Sequence, residues 1–140
     1  MSTPFVTEHV YEAPIEKVWQ ALTDTEAMRG WYFPQLQKFR PVVGFAFEFA
    51  PDGSPYGKEW VVTDVVAGQK LAHTWAYQRH PGSSEVTFAL AAQGNKTKLT
   101  LTHTGLENFP DAPHFARQRF VNGWAQLLGS NLKEYLERTR

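Results

Sequence analysis

The feature that most restricts the fold is a change of hydrophobic period along the chain. Between residues 43 and 105, apolar side chains recur at every second position in several segments, and turn-forming residues separate these segments. From about His114 to Arg138, apolar residues recur every three or four positions, which is typical of one amphipathic helix. At 1.5 Å per residue, about 25 residues form a helix of roughly 37 Å. A sheet of hairpins with one apolar face must be covered, and this helix is the only predicted element large enough to do so.

The alternating segments predict six strands, with two short helices after the first strand. Pro14 begins the first helix, and Thr23 with Glu26 forms a capping-box pattern that starts the second, which ends at Gly30. A segment dense in turn formers, 51–57, joins the second strand to the third. The predicted strands are 5–12, 43–50, 59–66, 70–78, 85–93 and 96–105.

Two glycine-containing segments carry further expectations about packing. Gly94-Asn95 is a two-residue hairpin signal, and it sets the register of the last two strands. The expected facing pairs are Leu90 with Leu99, Phe88 with Leu101 and Val86 with His103. Gly123 and Gly129 lie inside the C-terminal helix, where each costs up to about 1 kcal/mol relative to Ala. We therefore expect another element to pack closely against the helix at these glycines.

Composition favours a single folded domain over residues 1–140, and it argues against nucleic-acid binding and against any chemistry that requires cysteine. Hydrophobic residues make up 42% of the chain and aromatic residues 14%, which indicates an aromatic-rich interior. Lys and Arg (14) balance Asp and Glu (14), so no net positive field attracts nucleic acid. The absence of cysteine excludes disulfides, thiol nucleophiles and Cys-ligated zinc. The first ten residues lack a signal-peptide pattern and no apolar run reaches about 18 residues, so we expect a cytoplasmic protein without membrane insertion.

Several short motifs, taken in order and at their spacing, resemble one known family. They are APIEKVWQALTD (13–24) with Trp31, Val43-Gly44 with Phe45, Leu71 with Thr74-Trp75, LTLTHTG (99–105), and Gly123-Trp124 with the leucine spacing to Leu136. Together they resemble the START-like (SRPBCC) superfamily. Within it, the chain is most similar to the family named for the activator of the heat-shock-protein-90 ATPase. The resemblance covers about residues 5 to 138.

The resemblance implies an α+β helix-grip fold. In this fold a curved six-stranded antiparallel sheet wraps around the long C-terminal helix, the two short helices close one end, and a cavity lies between sheet and helix. Members of the family are mostly ligand carriers or proteins of unassigned function. The family's named activity belongs to a eukaryotic co-chaperone with an additional N-terminal domain. A chain of 140 residues leaves no room for that domain, so we do not transfer the role.

The segment KLAHTWAYQ (70–78) is the strongest candidate for a cavity wall. One face of this strand would carry Leu71 at a packed end, and then His73, Trp75 and Tyr77 with polar tips directed at a ligand. For any single aromatic residue, core packing is the simpler role, but Trp and Tyr carry polar atoms that a dry core satisfies poorly. The cavity-lining candidates are Trp31, Phe33, Phe45, Phe47, His73, Trp75, Tyr77, Phe88, Leu101, His103, Phe120 and Trp124. Trp31, Tyr32 and Phe33 suit a hydrophobic plug and a gate at the cavity mouth equally well.

The sequence predicts no convincing catalytic set and no metal site. In the simplest register His73 lies near Leu90, so His73 and His103 would lie at opposite ends of one face, about 10 Å or more apart. If the AGQK turn has two residues, Asp64 faces His73 and orients it as a base. If the loop has three residues, Thr63 takes that place, and the family resemblance favours Val61, Thr63 and Val65 inside. Glu48 is expected to point outward.

The leading hypothesis is a non-enzymatic protein that binds a small apolar or aromatic molecule between the sheet and the C-terminal helix, without a cofactor. The first alternative is an enzyme of the cyclase or hydrolase kind that uses His73 or His103 as the base. The second is a protein-interaction module that stimulates an ATPase as a co-chaperone does. An exposed edge strand or the aromatic loop near Trp31 could also support a homodimer.

Overall fold

The computed structural model describes residues 3–51 and 57–139 and has the expected α+β architecture. Its elements are β1 (Phe5–Tyr11), α1 (Ile15–Thr23), α2 (Thr25–Trp31), β2 (Leu36–Lys38), β3 (Glu48–Phe49), β4 (Val62–Val66), β5 (Lys70–Ala76), β6 (Ser83–Gln93), β7 (Lys96–Thr104), α3 (Arg117–Gln126) and α4 (Lys133–Arg138). Two 3₁₀ turns, Leu106–Asn108 and Pro113–Phe115, precede α3, and a π-helical turn, Leu127–Leu132, joins α3 to α4. Most of the turn predicted at 51–57 lies outside the described residues.

The main antiparallel sheet has five strands in the order β1-β7-β6-β5-β4, and β2 pairs with β3 in a separate two-stranded sheet. The segment 43–50, predicted as a full strand of the main sheet, extends it only irregularly. Backbone hydrogen bonds join Gly44 and Phe45 to Val62, and Phe47 to Trp60, so the segment runs beside β4 before it pairs with β2. Its aromatic side chains pack against the core, while Glu48 is exposed as predicted.

The hairpin between β6 and β7 has the predicted register. Gln93 pairs with Lys96 across Gly94-Asn95, and the expected facing pairs occur along the whole hairpin. Gly94 has φ 65°, a left-handed conformation that the tight turn requires and that glycine adopts at little cost. The inward face of this hairpin is almost fully buried and mostly apolar, and Ser84, Thr97 and His103 are its buried polar residues.

The C-terminal helical segment covers the apolar face of the sheet, as the sequence predicts, but it is not a regular α-helix throughout. Its buried residues recur at every fourth position: Phe120, Trp124, Leu128, Leu132 and Leu136. In an α-helix of 3.6 residues per turn, each such step rotates the stripe by about 40°. The wider π-helical turn in the middle of the segment opposes this drift, and so the last leucines still face the core.

Polar contacts fix the π-helical turn to the rest of the protein. Tyr11 donates a hydrogen bond of 2.7 Å from its hydroxyl to the carbonyl of Leu128. Asn131 donates from Nδ2 to the carbonyl of Trp31 and accepts from Gln126 Nε2, five residues earlier. The irregular turn is therefore held against β1 and α2.

Two local predictions about the helices are wrong. The N-cap of α2 is Asp24, whose carboxylate accepts from the backbone N–H of Ala27, whereas Thr23 belongs to α1 and donates to the carbonyl of Trp19. The expectation of close packing at Gly123 also fails, because a Cβ placed there would meet nothing within 4 Å. At Gly129, the nearest atom is His9 Cε1 at 3.8 Å, an ordinary contact distance. Gly123 instead adjoins open space, which belongs to the site described next.

Candidate ligand-binding site

A cavity of about 270 Å³ lies between the sheet and the C-terminal helix. Its wall is formed by Phe33, Trp75, Tyr77, Arg119, Phe120, Gly123, Trp124, Gln126 and Leu127. The rings make its interior largely apolar, while the exposed residues Arg119, Gly123 and Gln126 lie where it meets solvent. A wider surface depression of about 610 Å³ near Glu12, Lys17 and Lys96 has no aromatic residue among the described residues of its wall. The smaller cavity is thus the better candidate for a small-molecule site.

Three parts of the chain supply the wall, and each positions its residues for a local reason. In β5, alternation turns Trp75 to the helix side of the sheet, and Tyr77 follows just beyond the end of that strand. In α3, helical spacing turns Phe120 and Trp124 inward, and the absence of a side chain at Gly123 leaves room between them. Phe33 follows the C-cap of α2, and its ring lies 6.1 Å from the ring of Trp75.

The candidates predicted from the sequence divide into two groups. Phe33, Trp75, Tyr77, Phe120 and Trp124 line the cavity together. The others do not line it and pack in the core instead: Trp31, Phe45, Phe47, His73, Phe88, Leu101 and His103. The aromatic loop divides in the same way, since Trp31 and Tyr32 are 2% and 4% exposed and act as a plug, whereas only Phe33 reaches the cavity. Whether the lining residues bind a ligand stays a prediction.

Both ring nitrogens of His103 take part in a continuous series of buried hydrogen bonds. Trp124 Nε1 donates to His103 Nδ1 at 3.0 Å, and because an indole nitrogen can only donate, Nδ1 must be unprotonated. The neutral ring then carries its proton on Nε2, which lies 2.7 Å from Ser84 Oγ and donates to it. The Ser84 hydroxyl in turn donates a hydrogen bond to the carbonyl of Trp75 at 3.2 Å. In this tautomer His103 cannot take the Ser84 proton, so the pair is not arranged as a nucleophile and base.

Both ring nitrogens of His73 are also hydrogen-bonded. The prediction that its polar atoms are directed at the cavity is wrong. Its Nδ1 lies 2.7 Å from the carbonyl of Thr74, an acceptor, so Nδ1 carries the proton. Its Nε2 then accepts from the hydroxyl of Tyr32 at 3.1 Å. The ring is fully buried and stacks on Trp60 at 4.9 Å between centroids. Trp60 extends the aromatic cluster and was missed, although it alternates inward with Val62.

Burial holds both imidazoles in their neutral forms. Desolvation lowers the pKa of His73 to about 4, opposed by its hydrogen bond to the Thr74 carbonyl. Desolvation is also the main cause that lowers the pKa of His103 to about 3, with smaller contributions from His73 and Arg117. Burial likewise raises the pKa of the Tyr32 hydroxyl, which remains a hydrogen-bond donor. Around neutral pH, these groups form an uncharged interior network.

The register between β5 and β6 corrects the predicted positions of the two histidines. His73 pairs with Val86, which in turn pairs with His103, so the two histidines lie level with each other, two strands apart. The prediction that they occupy opposite ends of the face is wrong, because β5 ends at Ala76 and β6 begins at Ser83, each two residues earlier than in the predicted strands 70–78 and 85–93. The loop keeps six residues but lies two positions earlier than predicted, at 77–82 instead of 79–84, and this shifts the register between the two strands.

The predicted pairing of Asp64 with His73 is also wrong. The turn between β4 and β5 has three residues, 67–69, and this register pairs Asp64 with Ala72. A bulge at Thr63 then shifts the register, so that Val62 pairs with His73. Asp64 instead forms an exposed ion pair of 2.8 Å with Lys70, which lowers the pKa of its carboxyl. The inward face expected from the family resemblance is corrected in part: Val65 packs against the core as expected, but Val62 is 1% exposed, whereas Val61 and Thr63 are only half-buried.

Sequence reasoning missed four wall residues, all of them on or beside α3: Arg119, Gly123, Gln126 and Leu127. Gly123 gave a usable signal, since a glycine on an exposed helical position next to an inward Trp124 can mark an opening rather than a contact. The two polar residues gave no signal, because exposed polar positions are expected on any such helix. Within the described ranges, no group of three His, Asp or Glu residues could hold a metal ion.

The family to which the sequence matches is consistent with the observed fold, in which a C-terminal helical segment covers the sheet. A profile of the family described as "Activator of Hsp90 ATPase homolog 1-like protein" matches residues 12–137. The chain belongs to this family. No curated protein sequence matches it significantly. The family assignment and the helix-grip architecture confirm the resemblance inferred from the motifs.

Solved structures show how widely this fold is shared. A Mesorhizobium loti protein is 27% identical, with a TM-score of 0.80 and 99% of each chain covered. A Bacillus halodurans protein is 26% identical, with a TM-score of 0.77 and 96% of this chain and 97% of that chain covered. The Aha1 dimer from Colwellia psychrerythraea, solved in solution, is 24% identical with a TM-score of 0.77 and 97% of both chains covered, and it supports the fold alone. In the part of this chain that the structure describes, no helix is long and apolar enough to cross a membrane.

Proposed function

We propose that this protein binds a small aromatic or apolar molecule in the cavity between β5 and α3. The observation that carries the proposal is the wall itself: five aromatic residues and an unfilled space at Gly123 surround a volume of about 270 Å³. A well-packed core leaves few voids larger than a water molecule, so a cavity of this size next to solvent needs a reason. It lies just below the usual range of about 300–1,000 Å³ for small-molecule sites, which suits a ligand of one or two rings.

The polar atoms of the wall support binding rather than catalysis. Trp75 donates from Nε1 to the hydroxyl of Tyr77 at 2.8 Å, which fixes both side chains at the cavity. The histidines proposed as catalytic bases, His73 and His103, have both ring nitrogens engaged inside the core and do not line the cavity. A base must reach the proton that it removes, within hydrogen-bond distance or through one water molecule.

Filling the cavity tests this function directly. A leucine at Gly123 would extend from α3 into the space between Phe120 and Trp124, and it should abolish binding. Ala125→Leu adds a leucine on an exposed position of the same helix and serves as the matched control. Binding of naphthalene derivatives is measured by quenching of tryptophan fluorescence and by the ligand-dependent rise in melting temperature, since only a ligand that prefers the native state stabilises it.

The parent protein and Ala125→Leu should bind with the same affinity, while Gly123→Leu should fold and bind at least tenfold more weakly. Equal binding by a folded Gly123→Leu variant would place the ligand elsewhere. Absence of any binding to the parent protein would contradict the proposal.

Family membership supports a second candidate function, stimulation of a chaperone ATPase. The matching family is described by the activator of an Hsp90 ATPase, and the match covers residues 12–137. The measurement is the ATPase rate of an Hsp90-type chaperone with and without this protein. Stimulation that is equal for the parent and for Gly123→Leu would assign the activity to the outer surface, separate from the cavity.

A further inference from the structure

The chemistry of the cavity mouth selects among small aromatic molecules. Among the residues that the structure describes, the cavity wall contains one charged side chain, the guanidinium of Arg119, and no carboxylate. Arg119 lies in the first turns of α3 and is exposed, so its charge faces the opening rather than the core. A positive group at the end of an apolar cavity is suited to a ligand that carries a negative charge at one end.

A second cation lies beside the same opening. The ammonium group of Lys58 is 4.5 Å from the ring centroid of Phe33, which is a wall residue, and Lys58 pairs with Tyr77 in an isolated β-bridge. Burial raises the pKa of the Tyr77 hydroxyl, and the hydrogen bond from Trp75 and the charge of Arg119 oppose this effect. Arg119 thus acts on Tyr77 and Lys58 lies over Phe33, so both cations adjoin residues of the same cavity wall.

We propose that the ligand is an aromatic carboxylate, with its ring between Trp75, Phe120 and Trp124 and its carboxylate directed at Arg119. This inference rests on the proposed binding function and adds the charge of the ligand. A guanidinium presents two parallel N–H groups that match the two oxygens of a carboxylate. A neutral ligand of the same shape would fill the cavity equally well but would gain nothing from the charge.

The test compares the naphthoate anion with naphthamide, which has the same ring and nearly the same shape but no charge. Both are titrated against the parent protein, Arg119→Gln and Arg40→Gln at low ionic strength. Arg40→Gln removes the same charge from an exposed residue that is not part of the wall. The parent should bind naphthoate about fivefold more tightly than naphthamide, the advantage expected for a solvent-accessible ion pair of about 1 kcal/mol.

Arg119→Gln should remove this advantage, so that the ratio of the two affinities falls to about one, while Arg40→Gln should preserve the ratio of the parent. The advantage should also shrink as salt is added, since exposed charges are screened. Equal affinities of the parent for the two compounds, or an Arg119→Gln variant that keeps the ratio of the parent, would overturn the assignment of a carboxylate while the proposed function stands. If neither compound binds, the proposed function and this inference both fail.

Discussion

Acidification from pH 7.5 to pH 5 should remove about 4 kcal/mol of folding free energy, because two histidines are buried in their neutral forms. Burial lowers the pKa of His73 to about 4 and that of His103 to about 3, from an ordinary value of 6.5. Between these values and pH 6.5, the unfolded chain binds more protons than the native protein. Stability is therefore complete above pH 6.5 and falls as the pH falls toward 4 and then 3.

The size of the effect follows from the unfolded chain. At pH 5 an exposed histidine is about 1.5 pH units below its pKa, and each unit corresponds to about 1.36 kcal/mol. Since both native pKa values lie below 5, each histidine contributes about 2 kcal/mol to the loss. The sum is a large part of the roughly 5–15 kcal/mol that stabilises a typical domain.

The assay is urea unfolding at the two pH values, followed by tryptophan fluorescence. His73→Gln and His103→Gln should each reduce the difference between pH 7.5 and pH 5 by about 2 kcal/mol. The comparison is made within each variant, so the hydrogen bonds that it loses at both pH values cancel. A parent that loses less than about 1 kcal/mol, or glutamine variants with the parent's pH dependence, would refute the reasoning.

Two further predictions concern the backbone and are checked by thermal and urea unfolding. Gly82→Ala should destabilise the protein by more than about 2 kcal/mol, because Gly82 has φ 97° and a Cβ there would lie 2.4 Å from the carbonyl oxygen of Asn108. Gly68 has φ 75° and open space around it, so Gly68→Ala measures the cost of the positive φ alone. If the two variants lose the same stability, the contact with Asn108 plays no role. Asp24→Ala should cost about 1 kcal/mol through loss of the N-cap, and Glu26→Ala less than about 0.5 kcal/mol. If Glu26→Ala costs more stability than Asp24→Ala, the capping box of Thr23 and Glu26 predicted from the sequence would be supported instead.

The order of elements could be read from the sequence because it depends on local patterns. Alternation identified the strands, the Gly94-Asn95 signal fixed the register of β6 and β7, and the leucine spacing identified the C-terminal helix. The register between β5 and β6 could not be read in this way. The loop from Tyr77 to Gly82 includes positive φ values at Arg79 and Gly82, and Ser83 and Ser84 resemble turn residues although they pair with β5.

The amino-acid sequence by itself determined the α+β architecture, the family and the aromatic character of the interior, because hydrophobic period and turn chemistry act over a few neighbouring residues. Only the tertiary structure decided which aromatic residues line a cavity and which fill the core. Trp75 and His73 alternate on the same face of β5, yet Trp75 reaches the cavity while His73 bonds to Tyr32. That division depends on where α3 leaves space, at Gly123, and on which donor meets which acceptor across the core, and both are set by residues distant in sequence.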